Sequence, residues 1–161
     1  MPRLGNPLVY DLIDVAAALV EQRGRRNLEK AAMRRAVSSA YYAVFHGLCF
    51  VCTRALGLWR RDASVTESIY RLLDHGQVKR RLSGREAAEL GSVIAGIGTA
   101  FADLQERRHR ADYSPPNLEV SRDVTRTVIA RARKTIFDLE SLDDDQCRRL
   151  AVLLITKARL A

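Results

Sequence analysis

The chain has 161 residues, of which 47% are hydrophobic, 29% are charged and 6% are aromatic. This length predicts one domain, over residues 1–161, that can bury a core without disulfides or a metal ion. The three cysteines lack a framework spacing, and the first residues lack an apolar stretch of signal-peptide length, which argues against a secreted disulfide scaffold. We therefore expect a cytoplasmic protein.

The charge balance is strongly basic. The net charge is +8, and most of the excess is arginine, since lysine occurs only at positions 30, 79, 134 and 157. The planar guanidinium group binds phosphate and carboxylate through paired hydrogen bonds. The balance therefore suits a nucleic acid or an acidic partner, although arginine used simply as solvated surface charge would give the same composition.

Two long helices are predicted in the first third of the chain. The first runs from Pro7 towards Gly24, with Asn6 as its N-cap. The second runs from about Asn27, as its cap, to Leu56. Its middle is apolar around much of its circumference, which is typical of a helix surrounded by other helices.

Further helices follow at the same apolar spacing, and no strand pattern of comparable length is present. We predict them over residues 64–73, 84–110, 118–139 and 143–160. Ser83 and Glu86 have the spacing of a capping box, and Ser141 or Asp143 can cap the last helix. Small residues at Gly91, Gly96 and Gly98 would allow a close helix contact. The sequence thus predicts an all-α antiparallel bundle of five or six helices, with 143–160 as an additional C-terminal helix.

One uncharged stretch, residues 36–53, approaches the length of a membrane span. It carries polar side chains that are costly in hydrocarbon, so a central bundle helix is the better interpretation. These side chains are Ser38, Ser39, Tyr41, Tyr42 and His46.

The usual catalytic and metal motifs are incomplete. Cys49 and Cys52 have CxxC spacing without a second pair, so we interpret them as small core residues. The glycine-rich run 91–99 has Ile97 where a phosphate-binding loop needs lysine, and no strand precedes it. His75 beside Gly76 is predicted to end a helix, where a cation suits the helix dipole. We expect no metal and no cofactor.

A polar stripe crosses the second helix. Arg35, Ser38, Tyr42 and His46 are spaced by three, four and four residues, which places them on one helical face. These groups need partners, because unmet hydrogen bonds cost several kcal/mol when buried. Two interpretations remain open: a buried network that joins this helix to RRHRADY (107–113), or a polar cleft that binds a ligand.

Two segments resemble HEPN domains. MRRAVSSAYYAVFHGL (33–48) is similar to the signature helix of that family, and RRHRADY resembles the Arg-x-x-Ala-Asp-Tyr segment that ends a later long helix in one of its branches. The helix pattern agrees from about residue 8 to 141. The resemblance implies an antiparallel helical bundle that forms homodimers and acts on RNA, nucleotides or partner proteins.

Many HEPN domains are metal-independent ribonucleases, whose signature is an arginine, four to six residues, and a histidine. None of the three histidines here, His46, His75 and His109, follows an arginine at that spacing. Asp112 stands where a histidine would follow Arg107, and a carboxylate opposes an RNA phosphate. Ribonuclease chemistry is therefore not the leading expectation.

The leading hypothesis is a domain that binds RNA, a nucleotide or a partner protein in a toxin–antitoxin or defence system, with no membrane association. The resemblance implies a homodimer and a nucleotidyltransferase-type antitoxin as a partner. One alternative is a metal-independent endoribonuclease with His109 as base and Arg107 or Arg108 on the phosphate. Another is a structural dimerising module. The candidate binding residues are Arg108, Arg35, Asp112, Tyr113, Tyr42, His46 and Ser38.

Overall fold

The computed structural model describes residues 3–157, and every regular element within them is an α-helix. The eight helices are α1 (Pro7–Val20), α2 (Arg26–Ala55), α3 (Ala63–Leu72), α4 (His75–Leu82), α5 (Arg85–Glu89), α6 (Ser92–Tyr113), α7 (Arg122–Glu140) and α8 (Asp144–Ile155). The predicted all-helical class is confirmed. The predicted number of five or six helices is too low.

Helix α2 is the centre of the fold. It packs against α1, α6, α7 and α8, and apolar side chains on most of its circumference are buried. By length and composition α2 could cross a membrane, but 83% of its most apolar 18-residue window is buried inside the protein. This burial is typical of the core helix of a soluble protein.

Local sequence signals explain several helix ends. Asn6 Oδ1 accepts a hydrogen bond from the backbone N–H of Leu8, and Pro7 occupies the first helical position, as predicted. Asp143 and Gln146 form a capping box at the start of α8. Asn27 is not a cap, because α2 already begins at Arg26. The predicted helical residues 158–160 lie outside the described part of the chain.

The region predicted as one helix from 84 to 110 contains α5 and α6. Gly91 has φ +115, a backbone conformation that ends the first helix and caps the second. The predicted capping box does not form: Ser83 lies at the C-terminal end of α4, and Glu86 instead pairs with Arg81. Helix α4 was not predicted.

A glycine contact fixes the position of α4. A Cβ atom at Gly98 would overlap the carbonyl oxygen of Leu82, so glycine is what allows the end of α4 to touch α6. The predicted close approach is therefore confirmed at Gly98. Gly96 faces open space. From this contact α4 extends back to His75, which lies against α2.

Arg34 binds the backbone of the connection between α6 and α7. The Arg34 guanidinium donates to the carbonyl oxygens of Ser114, Pro115 and Leu118. Helix α7 begins only at Arg122, four residues later than the predicted start. Arg34 therefore fixes the chain directly after RRHRADY.

Candidate functional site

Helices α2 and α6 meet around the carboxylate of Asp112. Ser38 Oγ donates to Asp112 Oδ2 at 3.3 Å. Arg35 Nη1 lies 3.8 Å from Oδ1, and Arg108 Nη1 lies 3.7 Å from Oδ2. One carboxylate is thus shared by two guanidinium groups at long distances, which leaves a net positive charge. The Arg35 side chain is 68% exposed, whereas that of Arg108 is 11% exposed.

Arg108 lies among aromatic rings. Its Cζ atom is 5.0 Å from the centroid of Tyr41 and 5.7 Å from that of Tyr42. Its Nε atom is buried without a hydrogen-bond partner among the described residues, as is Oε1 of Gln105 one turn earlier. Buried polar atoms normally find partners, because desolvation is otherwise costly. A buried cation with unused donors therefore needs an explanation beyond packing.

His75 joins this group from α4. Its Nδ1 atom is 2.5 Å from the Tyr41 hydroxyl, and its ring centroid is 4.0 Å from that of Phe45. Burial, followed by the positive charge of Arg108, lowers the pKa of His75, while burial raises the pKa of Tyr41. His75 is therefore a neutral imidazole at neutral pH. The α2–α6 cluster is defined as Arg35, Ser38, Tyr41, Tyr42, His75, Arg108 and Asp112.

The sequence interpretation of His75 was wrong. His75 is the first residue of α4 and does not end a helix, so its surroundings do not favour a cation. A local signal was present, since Asp74 stands three residues before Gln77, and Asp74 Oδ1 accepts the backbone N–H of Gln77 at 2.9 Å. That spacing is typical of a helix N-terminus.

Other predicted site residues on α6 lie apart from these contacts. Arg107 Nε bonds Asp103 Oδ2 at 3.0 Å, and Arg131 shares that carboxylate. His109 is exposed and packs at 4.8 Å on the ring of Tyr113, which is 69% exposed. The structure thus brings together Arg108 and Asp112 with α2, and the histidine beside them is His75 instead of His109.

His46 lies in a different polar region, towards α3. Its ring packs on Phe45 and on Tyr70, 5.6 Å away between centroids, and its Nδ1 atom has no partner among the described residues. Burial lowers the pKa of His46 and raises the pKa of Tyr70 to about 12. His46 therefore shares a helix with the α2–α6 cluster without joining its contacts.

The chemistry available at the cluster is that of a cationic and aromatic surface. Its two arginines have N–H donors that Asp112 does not use, and its neutral histidine can accept or donate a proton. Within residues 3–157, no three metal-binding side chains lie together. Cys49, Cys52 and Cys147 are buried thiols, and burial raises the pKa of each, which disfavours the thiolate form.

Comparison of the chain with protein-family models, with curated proteins and with solved structures gave no match. The resemblance to HEPN domains therefore rests on the motifs at residues 33–48 and 107–113 and on the helix pattern of the sequence. What the site does must be argued from the geometry of the cluster.

Proposed function

We propose that the protein binds single-stranded RNA across the α2–α6 cluster. The observation that carries this proposal is Arg108, a largely buried cation whose Nε atom has no partner and whose carboxylate is 3.7 Å away and shared. A phosphate at the solvent-facing edge of the cluster would supply negative charge beside this guanidinium. Arg35, which is 68% exposed, offers the phosphate a first contact from solvent.

Exposed aromatic rings support RNA over other anions. Tyr113 and His109 pack together in the last turns of α6, next to Asp112 and Arg108 in the sequence but on the outer face of the helix. Unpaired bases stack on such rings in single-stranded complexes, and arginine planes stack in the same way. The net charge of +8 favours the same class of ligand.

A second candidate function is metal-independent cleavage of the bound RNA. The observation that favours it is the neutral His75, whose Nδ1 is 2.5 Å from the Tyr41 hydroxyl and whose pKa is lowered by burial and by Arg108. A neutral imidazole can take the proton of a ribose 2′-hydroxyl, while Arg108 stabilises the charged phosphate. In this cleavage mechanism the general base is His75 instead of the His109 that the sequence suggested.

The biological setting is proposed from the resemblance alone. A HEPN-like domain would act as a homodimer in the cytoplasm, within a toxin–antitoxin or defence system. Its protein partner would be a nucleotidyltransferase-type antitoxin. RNA binding at the cluster is the part of this picture that the geometry supports.

The test is the affinity for a fluorescent single-stranded RNA, measured by anisotropy over a range of salt concentrations. We expect Arg35→Gln to weaken binding about fivefold at about 0.1 M salt and to reduce the salt slope by about 0.7, the value for one lost phosphate contact. The matched control is Arg23→Gln, which removes an exposed arginine between α1 and α2. Equal affinities for the two variants, or no binding by the wild type, would overturn the proposal.

A cleavage assay in EDTA separates binding from chemistry. Cleavage that His75→Gln abolishes and His109→Ala retains would establish the second candidate function. Cleavage that His109→Ala abolishes would instead assign the base to His109. Intact RNA after incubation with a wild type that binds it would leave binding as the function.

A further inference from the structure

A second basic surface lies at the opposite end of α4. Two adjoining concavities, each of about 490 Å³, share Arg81 and Glu86 and follow α4, α5 and α8. Six cations line them, against the carboxylates of Glu86 and Glu89. We call this surface the basic groove and define it by Arg80, Arg81, Arg85, Arg148, Arg149 and Lys157.

Half of these cations are already paired. Arg81 bonds Glu86 at 2.9 Å, Arg85 bonds Glu89 at 2.9 Å, and Arg149 bonds Asp145 at 2.7 Å. Among the described residues, no carboxylate lies within salt-bridge distance of the other three cations, which are Arg80, Arg148 and Lys157. The groove therefore has a surplus of positive charge that the fold does not neutralise.

The side chain of Arg81 lines the groove and is held in place by its contacts. Its side chain is 10% exposed, and its Nε donates to the carbonyl oxygen of Leu153 at 2.9 Å, which ties α4 to α8. The helix dipole accounts for cations in the last turn of α4, since a carbonyl-rich helix end favours positive charge. It does not account for Arg148, which lies in the first half of α8.

Helix α4 connects the groove with the α2–α6 cluster. Its first residue, His75, belongs to the cluster, and its last turn lines the groove; eight residues of helix span about 12 Å. A Cβ atom at Gly76 would lie 3.6 Å from Arg80 Nη1 and 3.3 Å from Asp74 Oδ1. The Arg80 side chain thus reaches back to the first turn of α4, beside a carboxylate that caps that helix.

The dimensions suit a linear polyanion. A stacked nucleic-acid strand carries one charge about every 3.4 Å along its axis, so about 12 Å corresponds to three or four phosphates. We propose that the basic groove is a second contact for the RNA backbone, so that one strand runs along α4 from the cluster to the groove. This inference rests on the RNA-binding function proposed above and adds a path for the bound strand.

The test compares a short strand of about two nucleotides with a long strand of about twelve, since only the long one can reach both surfaces at this spacing. The groove variant is Arg80→Gln/Arg148→Gln, which removes two unpaired exposed cations. The matched control is Arg23→Gln/Arg25→Gln, which removes two exposed arginines elsewhere. Gln preserves helix propensity, and circular dichroism verifies that both double variants are folded.

For the long strand, we expect the groove variant to bind about 25-fold more weakly than the wild type at about 0.1 M salt, with a salt slope lower by about 1.4. We expect its affinity for the short strand to match that of the control. Equal affinities of the groove variant and the control for the long strand would overturn the second contact. The RNA-binding function would still stand if Arg35→Gln weakened both strands.

An acidic protein surface is the competing ligand for the groove. Polyglutamate of the same total charge as the long RNA is the probe for it. Polyglutamate that binds the wild type as tightly as RNA, and loses as much affinity in Arg80→Gln/Arg148→Gln, would overturn the assignment to nucleic acid. A wild type that binds neither strand would overturn both this inference and the function on which it rests.

Discussion

The last two turns of α6 present two faces with opposite character. On the inner face, Arg108 is 11% exposed and lies over the rings of Tyr41 and Tyr42. On the outer face, Arg107 is 42% exposed and pairs with Asp103. One residue along a helix is a rotation of about 100°. A continuous run of similar residues in the sequence therefore separates into a buried cluster and a solvated surface.

This difference determines what each arginine can do. A solvated ion pair such as Arg107–Asp103 contributes little to stability and retains its hydration. A desolvated cation such as Arg108 has lost water and has not regained all its hydrogen bonds, so it gains more from a bound anion. Substitutions at matched positions on the two faces should therefore have unequal effects.

The largest expected effect comes from the two glycines of α6. Gly98→Ala should lower the free energy of unfolding by about 3 kcal/mol, because its Cβ atom meets the backbone of Leu82 and would force α4 away from α6. Gly96→Ala should instead raise it by about 0.5 to 1 kcal/mol, since the site is open and alanine favours helix. Urea denaturation of both variants measures the comparison, and a stable Gly98→Ala protein would show that α4 is not fixed by this contact.

The next largest effect on stability is expected from the carboxylates on the two faces of α6. Asp112→Asn should lower the free energy of unfolding by about 1 to 2 kcal/mol, because Arg108 would lose the carboxylate nearest to it. Asp103→Asn should cost under about 1 kcal/mol, because its pairs with Arg107 and Arg131 are partly solvated.

The same two variants should differ in RNA binding. Removing the negative charge of Asp112 beside the bound phosphate should raise affinity about twofold to threefold, the Coulomb energy of charges several Å apart in water. Asp103→Asn should leave affinity close to that of the wild type. Weaker RNA binding by a folded Asp112→Asn protein would contradict a phosphate site at Arg35 and Arg108.

The fold was largely predictable, and the exceptions have local causes. Helices α1, α2 and α8 have long apolar periods, and α1 and α8 also have the capping residues Asn6 and Asp143, so all three were predicted. Helix α8 ends at Ile155, before the predicted end at residue 160. Helix α4 is eight residues long and highly charged, so its apolar period is too short to recognise. The division at Gly91 depends on a positive φ, which the sequence permits but does not require.

The candidate site was predictable only along individual helices. The spacing of Arg35 and Ser38 placed them on one face, and the structure brings both to Asp112. The sequence could not show that His75 would join them, because its position depends on the contact between Gly98 and Leu82. It also could not distinguish Arg107 from Arg108, since the rotation of α6 relative to α2 decides which is buried.

A smaller effect is expected at the hydroxyl that holds His75. Tyr41→Phe removes the partner of His75 Nδ1, 2.5 Å away, and should lower the free energy of unfolding by about 1 kcal/mol. Tyr113→Phe is the matched change on the outer face and should have no measurable effect, because that ring is 69% exposed. Thermal denaturation of the two variants is the measurement, and equal melting temperatures would argue against a structural role for the Tyr41–His75 hydrogen bond.

The smallest effect is the response of stability to acid. Burial lowers the pKa of His46 and of His75 below their ordinary value of 6.5 in the folded protein. Between the lowered and the ordinary pKa the unfolded chain binds more protons than the folded protein. The contribution of these histidines to the free energy of unfolding is therefore fully present above about pH 6.5 and is lost as the pH falls. His46→Leu should therefore reduce the drop in melting temperature between about pH 7 and about pH 5. His109→Gln is the matched control, since it replaces an exposed histidine instead of a buried one. The wild type and both variants carry the same carboxylates. If the melting temperature of His46→Leu fell by as much as that of the wild type, the buried histidine would not be a source of the acid sensitivity.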